Sequence, residues 1–466
     1  EEIARDAEGF AGVAKLLGFA AFAYLARTLE PDSYGAVELA AALGMFFTLV
    51  VDFGLGPIGA REITRAPSEA ARLAAEIPAA RLLLATLAVA AMWTAAGGLD
   101  VPERTRVLIR IWSLSLWGGA WTQSWLFQGL GRMSWVSPAQ ALRMGAFALA
   151  AVGLVSGPGD AVRVGIAECV GALAMALYYA VAQAFHGIAP RLAFHPRRLR
   201  RLWAEALPVG AGRITWALNQ YAMTVLVAVR IGGAEVAWFG AGHRLVTSLG
   251  SFVNLYHFNL YPQIVRAAAG SASARATLEA LLAASFRVTG WVGTLAAVGG
   301  TLLAGPICRG VYGAAFEASA TSFAVLSWTL PLALVGAHAR FVLIGYGRQS
   351  RELVANLCGA GIAIGIGWPA IAGAGAVGAA VAMVVSAFVT WGVAQYFARS
   401  LVPLPFLGPL LRPAALAALV LALSGWSGAD GWLAGAIGVG SFAALGLVVE
   451  PELRRDLARA LQDSRR

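Results

Sequence analysis

About fourteen separate apolar runs of roughly twenty residues cover this chain almost end to end, each long enough to cross a hydrocarbon layer about 30 Å thick as a helix. In that solvent every backbone N–H and C=O must find its partner within the segment, so such runs can only build a bundle of helices. Hydrophobic residues make up 59% of the chain and charged residues 13%, which excludes a soluble core. The expected fold is an all-α integral membrane protein.

Charged or Pro/Gly-rich breaks place helices near 9–27, 35–58, 77–98, 106–129, 135–156 and 163–187. A basic segment follows, from Arg191 to Arg201, and eight more runs fall near 206–231, 236–263, 279–304, 318–344, 351–371, 374–397, 408–427 and 431–449. The segment from Glu450 to Arg466 reads as an interfacial helix. Glu1 to Asp6 lacks the basic n-region and small-residue cleavage site of a signal peptide, so the first run is expected to stay as an anchor.

Arginine sets the expected orientation, because basic residues accumulate in loops that stay cytoplasmic. With the N-terminus inside, the inner segments hold Arg61, Arg65, Arg72, Arg132, the Arg197 cluster, Arg266, Arg275, Arg348, Arg351, Arg399, Arg412 and the final arginines. The outer loops hold Arg27, Arg104, Arg106, Arg163, Arg230 and Arg309, so both termini are expected in the cytoplasm. The halves also echo one another: YLARTLEPDSYG (from Tyr24) and LVAVRIGGAEVAWFG (from Leu226) each lead from a helix through an arginine and a polar turn to an aromatic-glycine start. Such duplication is common in secondary transporters.

Function must lie in the few polar side chains kept inside these runs. On the eighth, Arg244, Thr247, Ser248, Ser251 and Asn254 recur at steps of three and four and so share one helix face, with His257 nearly continuing it. Serine and threonine alone would fit helix packing. An uncompensated guanidinium in lipid costs about 3 kcal/mol or more, so this face is expected to border a water-filled cavity. Arg213, Trp216, Gln220 and Thr224 form a weaker stripe on the seventh run, and Lys15, the sole lysine, lies at the depth of Arg213. Arg81, Arg143 and Arg287 sit close to expected cytoplasmic ends, where snorkelling is the simpler account. On the fourth run Arg110, Ser113, Trp117, Trp121, Ser124 and Gln128 share a face, and Trp117, Trp121 and Gln128 could make a sugar-handling wall, although membrane tryptophans are more often interface anchors.

The membrane acids are Glu38, Asp52 and Glu168. Asp52 opens DFGLGPIGAR and is expected to pair with Arg61 or another arginine; Asp52 and Glu168 are also the candidates for ion coupling. A pathway lined by arginines selects anions, and the planar guanidinium suits phosphate oxygens. Ala14 rather than glycine precedes Lys15, so no Walker A loop exists, and neither HExxH nor a GxSxG with partners is present. An enzyme is disfavoured, and no cofactor or metal is expected. Cys169, Cys308 and Cys358 read as buried thiols.

YLARTLEPDSYG followed by DFGLGPIGAREITR resembles the opening helix pair of the polysaccharide (oligosaccharide-lipid) flippase family of the multidrug/oligosaccharidyl-lipid/polysaccharide exporter superfamily. WLFQGLGRM (Trp125 to Met133) is similar to the end of that family's fourth helix, although Gly131 and Arg132 replace an expected acidic-basic pair. WFGAGHRLVTSLGSFVNLYHFNLYPQIVRA and GYGRQSRELVANLCGAGIAIGIGWPAIAGAGAVGAAVA look like its eighth helix and its eleventh-to-twelfth hairpin.

The resemblance implies two six-helix bundles (1–189 and 206–400) around a central cationic cavity, a basic cytoplasmic linker (190–205), two extra helices (401–449) and a cytoplasmic tail (450–466). It implies transfer of undecaprenyl-diphosphate-linked oligosaccharide units to the outer leaflet of the bacterial inner membrane, with polymerase and chain-length proteins as partners. Substrate contacts are then expected from Lys15, Arg213, Gln220, Arg244, Ser248, Ser251 and Asn254. A lipid II flippase and an ion-coupled multidrug antiporter are the rival readings.

Overall fold

The computed structural model describes residues 2–268, 272–405, 407–427 and 431–456, apart from the side chains of 2–8, 11, 251–255, 258–259, 272–274 and 427. Every regular element among the described residues is helical, and eight stretches, from Pro31–Arg65 to Trp432–Val449, are long and apolar enough to cross a membrane. The chain is thus an all-α, multi-pass membrane protein. It divides into two compact units, Glu1–Ala237 and Trp238–Arg466.

Unit 1 contains α1 (Glu2–Thr28), α2 (Pro31–Asp52), α3 (Leu55–Arg65), α4 (Ala70–Gly98), α5 (Glu103–Ser113), α6 (Ser115–Ala120), α7 (Ser124–Gly129), α8 (Ser137–Leu154), α9 (Ala161–Phe185) and α10 (Pro196–Arg230). The expected second helix, 35–58, is broken in two. Phe53 caps α2 in the left-handed region (φ 43°) and Gly54 follows at φ 78°, a conformation glycine adopts without steric cost. A Cβ at Gly54 would lie 2.8 Å from the Ala206 carbonyl oxygen, and one at Gly210 would lie 2.7 Å from that of Phe53, so the break is where α10 touches bare backbone. The expected fourth helix, 106–129, is likewise three pieces: α5, α6 and α7.

α4 begins at Ala70 rather than 77 and runs through Pro78. Its first turns bury Glu76 completely, and that carboxylate takes Arg72 (2.9 Å), Arg198 (3.2 Å) and His195 (3.3 Å). Of the basic segment, Arg197, Arg198, Arg200 and Arg201 lie in the first turns of α10, which is tied to α4 by Glu76 and to α3 by Arg61 and Glu205 (2.6 Å). Leu55, Ile58, Trp125, Phe127, Tyr179 and Leu202 form the apolar core beneath these ties.

Most of α11 (Gly233–Ala268) lies in unit 2, with α12 (Ala272–Leu302), α13 (Ala304–Tyr312), α14 (Ser319–Leu326), α15 (Thr329–Gly345), α16 (Gln349–Ala398), α17 (Gly408–Ser427) and α18 (Trp432–Val449). α12 is central and packs on α14, α15, α17 and α18. α16 is two helices joined at Ala374 and Gly375 (φ 53°), where the sequence places its boundary between 371 and 374. The two arms pack so closely that a Cβ at Gly378 would lie 2.0 Å from the Ala370 carbonyl oxygen. Trp291 and Val298 of α12 bury Leu416 and Val420 of α17 and Phe442 of α18.

Candidate functional site

The break after α2 leaves Asp52 at a helix end facing both α4 and α10. Its Oδ1 pairs with Nη2 of Arg81 and its Oδ2 with Nη1 of Arg213. The Gly56 N–H also donates to Oδ1 at 3.3 Å, and Arg81 Nη1 donates to the Thr122 carbonyl at 2.7 Å. Exposure is graded across the cluster: 6% for the Arg81 side chain, 16% for Asp52 and 40% for Arg213. Two guanidinium groups share one carboxylate, so the cluster carries a formal charge of +1 with its open side at Arg213. Low dielectric strengthens the attraction of an anion to that charge.

The glycines of DFGLGPIGAR create this geometry. Gly54 makes the turn. Gly56 makes room: a Cβ there would lie 2.9 Å from Arg81 Nη2 and 3.0 Å from Asp52 Oδ1. At Gly59 it would lie 2.5 Å from the Trp125 ring. Gly56→Ala is therefore expected to destabilise the protein, because overpacking at a buried ion pair costs about 1–3 kcal/mol while alanine returns at most about 1 kcal/mol of helix propensity. The check is the thermal unfolding midpoint in detergent; a rise would show that Arg81 can retract freely.

Several expectations change. Arg81 does not snorkel: with α4 starting at Ala70 it lies about three turns inside the helix and is 5% exposed. Arg143 pairs with the buried Glu168 instead. Arg287 lies about four turns inside α12 and pairs with Glu452 and, at 2.9 Å, with Asp456. The partners of Asp52 are Arg81 and Arg213, whereas Arg61 pairs with Glu62 and Glu205.

The sugar wall does not exist as one helix face, because Trp117 is in α6, Trp121 caps it and Gln128 is in α7. Trp117 is exposed and donates from Nε1 to Thr86 Oγ1 at 3.3 Å, Trp121 Nε1 is buried without a hydrogen-bond partner, and Gln128 is exposed. Lys15 is exposed on α1 and Gln220 is half-buried on α10. In unit 2, Arg244 is half-buried on α11, and its carbonyl accepts from Ser248 Oγ at 2.8 Å and Thr247 Oγ1 at 3.1 Å. Ser251 and Asn254 lie outside the described side chains. The structure thus joins Asp52 with Arg213 and adds Arg81. The signal for Arg81 was an arginine inside an apolar run, obscured by placing the start of α4 too late.

A family profile described as "Polysaccharide biosynthesis protein" matches residues 10–268. Among curated proteins, the "Putative O-antigen transporter" of Escherichia coli (strain K12) is 21% identical over 254 residues, 53% of this chain and 61% of that protein. A protein of the same name from Shigella dysenteriae is 25% identical over 241 residues, 50% of this chain and 59% of that one. The matched stretch therefore spans about three fifths of the length of these relatives. Among solved structures, "Lipid II flippase MurJ, inward closed conformation" aligns with a TM-score of 0.75 at 12% identity, over 95% of this chain and 98% of that one. An inward-facing multidrug resistance MATE family transporter of the MOP superfamily aligns with a TM-score of 0.68 at 15% identity, over 83% and 94%. At these identities the structural likeness is one of fold.

Proposed function

Because the chain belongs to the polysaccharide biosynthesis protein family, we propose that it is a flippase that carries undecaprenyl-diphosphate-linked oligosaccharide units from the cytoplasmic to the outer leaflet by alternating access. The observation that carries this reading is the Asp52–Arg81–Arg213 cluster, which presents a half-open guanidinium inside a membrane bundle. The obstacle to flipping is desolvation of a diphosphate and its sugars in hydrocarbon. Arg213 offers a diphosphate a bidentate donor in place of water. Arg81 and Asp52 hold the donor in position: Arg81 is itself fixed by the Thr122 carbonyl, so Asp52 cannot follow a departing Arg213. Lys15 of the same unit supplies further positive charge for the anion.

The arginine bias of the loops supports residence in the bacterial cytoplasmic membrane with both termini inside. Polymerase and chain-length proteins of the same synthesis are the fitting partners. A cation antiporter is less well supported, since Asp52 and Glu168 are both matched by arginine. A lipid II flippase shares the fold and the diphosphate chemistry, and rescue of cell-wall synthesis rather than of surface polysaccharide would separate it.

Native mass spectrometry of the gently purified protein tests the reading. A polyprenyl-diphosphate glycan is expected to co-purify with the wild type and to be lost from Arg213→Ala. Bulk phospholipid alone, even with the lipid-linked donor supplied, would overturn it.

A further inference from the structure

Unit 2 buries a pair of histidines where α11, α12 and α15 meet. His257 and His338 are each 1% exposed, with ring centroids 4.5 Å apart. His257 Nε2 lies 3.3 Å from His338 Nδ1. The other ring nitrogen of His338, Nε2, lies 2.6 Å from Ser285 Oγ, which lies 2.8 Å from the hydroxyl of Tyr256. Tyr256 is 37% exposed, so a continuous hydrogen-bonded file leads from the surface to two buried imidazoles. Phe286 stacks on His338 at 4.2 Å and Phe341 on His257 at 5.7 Å. An aromatic face stabilises a cation placed over it.

We propose that His257 and His338 form a proton-binding site, loaded through Tyr256 and Ser285, that couples transport to a proton gradient. What is transported rests on the flippase reading above; the proton site does not. Histidine suits the task because an imidazole that water reaches changes charge near neutral pH. In the neutral file Tyr256 O–H donates to Ser285, Ser285 O–H to His338 Nε2, and His338 Nδ1–H is shared between His257 Nε2 at 3.3 Å and the Val335 carbonyl at 3.2 Å. Moving each proton one place along breaks one O–H or N–H bond and forms the next. His257 becomes an imidazolium, and Tyr256 regains its proton from a hydronium ion or a protonated carboxyl outside.

The surrounding charges are already committed. On α12, Arg287 is held by Glu452 and Asp456. On α15, Arg340 is held by Glu352 of α16 at 3.4 Å, and on α17 Arg412 by Glu450 at 2.9 Å. α11 contributes the phenols of Tyr256 and Tyr261, the latter packed on Phe341. Asp456, which interacts electrostatically with Tyr256, is itself held by Arg287 at 2.9 Å. Among the described residues no cluster of three His, Cys, Asp or Glu could hold a metal instead.

Burial disfavours the charged form. Protonation of the pair therefore favours an arrangement in which water reaches it. A ligand shifts such an equilibrium only through its different affinity for the two states, which for one proton is at most about tenfold per pH unit.

The test begins without glycan: proton uptake by the purified protein in nanodiscs after an acid pulse, with ring ¹⁵N spectra of the histidines. The wild type is expected to take up one proton more than either His338→Gln or His257→Gln. Tyr256→Phe, which removes the hydroxyl bonded to Ser285 and keeps the ring, is expected to take up the same number more slowly. Equal uptake by wild type and both glutamine variants, or ring signals that stay neutral until the protein unfolds, would overturn the site. In vesicles, flipping of the lipid-linked glycan is expected to follow an imposed pH gradient in the wild type and to lose that dependence in His338→Gln. Flipping with unchanged gradient dependence in that variant would overturn the coupling and leave the flippase reading standing. Failure of the wild type to flip any glycan would overturn that reading while the uptake difference still decided the proton site.

Discussion

Asp52→Ala is expected to lower stability by about 3–5 kcal/mol, the cost of stranding a buried guanidinium without its counter-charge. Arg81 is the group stranded: its side chain is 6% exposed, and without Asp52 it keeps the Thr122 carbonyl but no counter-charge from α2. Arg213 suffers less, because at 40% exposed it can turn towards water. Asp52→Asn, which keeps an acceptor oxygen and loses the charge, is expected to fall between wild type and alanine. Thermal unfolding followed by tryptophan fluorescence, together with the folded yield after extraction, reads the effect. An unchanged midpoint for Asp52→Ala would mean that Arg81 finds another counter-charge, and the cluster would lose its structural role.

Arg213→Ala is expected to give the opposite pattern, a folded protein whose transport is sharply slowed. Asp52 keeps Arg81 and the Gly56 N–H, so the fold loses only a partly solvated contact. The substrate loses a charge-assisted hydrogen bond worth about 1.5–3 kcal/mol, which is a fall of roughly tenfold to a hundredfold in flipping rate. Arg213→Lys keeps the charge and loses the planar fork, and is expected to recover part of the rate. The measurement is transfer of lipid-linked glycan in vesicles, normalised to protein that passes the unfolding assay. Wild-type transfer by Arg213→Ala would remove the cluster from the substrate path.

Much of the architecture was legible because lipid is an unforgiving solvent: long apolar runs must be helices, and arginines within them must find a reason to be there. Asp52 and Arg213 stood out on that ground alone. Their partnership did not, since nothing in one dimension brings α2 within reach of α10. Arg81 was misjudged because apolar periodicity places the start of α4 at 77, after the charged turn. The structure carries the helix back to Ala70 by burying Glu76 against Arg72, Arg198 and His195. The same limit hid the tryptophans of the fourth run, whose common face exists only if 106–129 is one straight helix, and α5, α6 and α7 are three. His257 was noticed as the near-continuation of a polar stripe, yet its partner His338 is 81 residues away on α15.

By itself the sequence determined that this chain is an all-helical membrane protein, that its interior charge is mostly arginine, and which family signature it carries. Helix formation and membrane insertion are decided by local hydrophobicity, and local hydrophobicity is written residue by residue. The tertiary structure alone decided which charges meet. A carboxylate that takes two arginines, the glycine that leaves space for them, and a histidine pair reached through a serine and a tyrosine all depend on distances between helices, which no periodicity encodes.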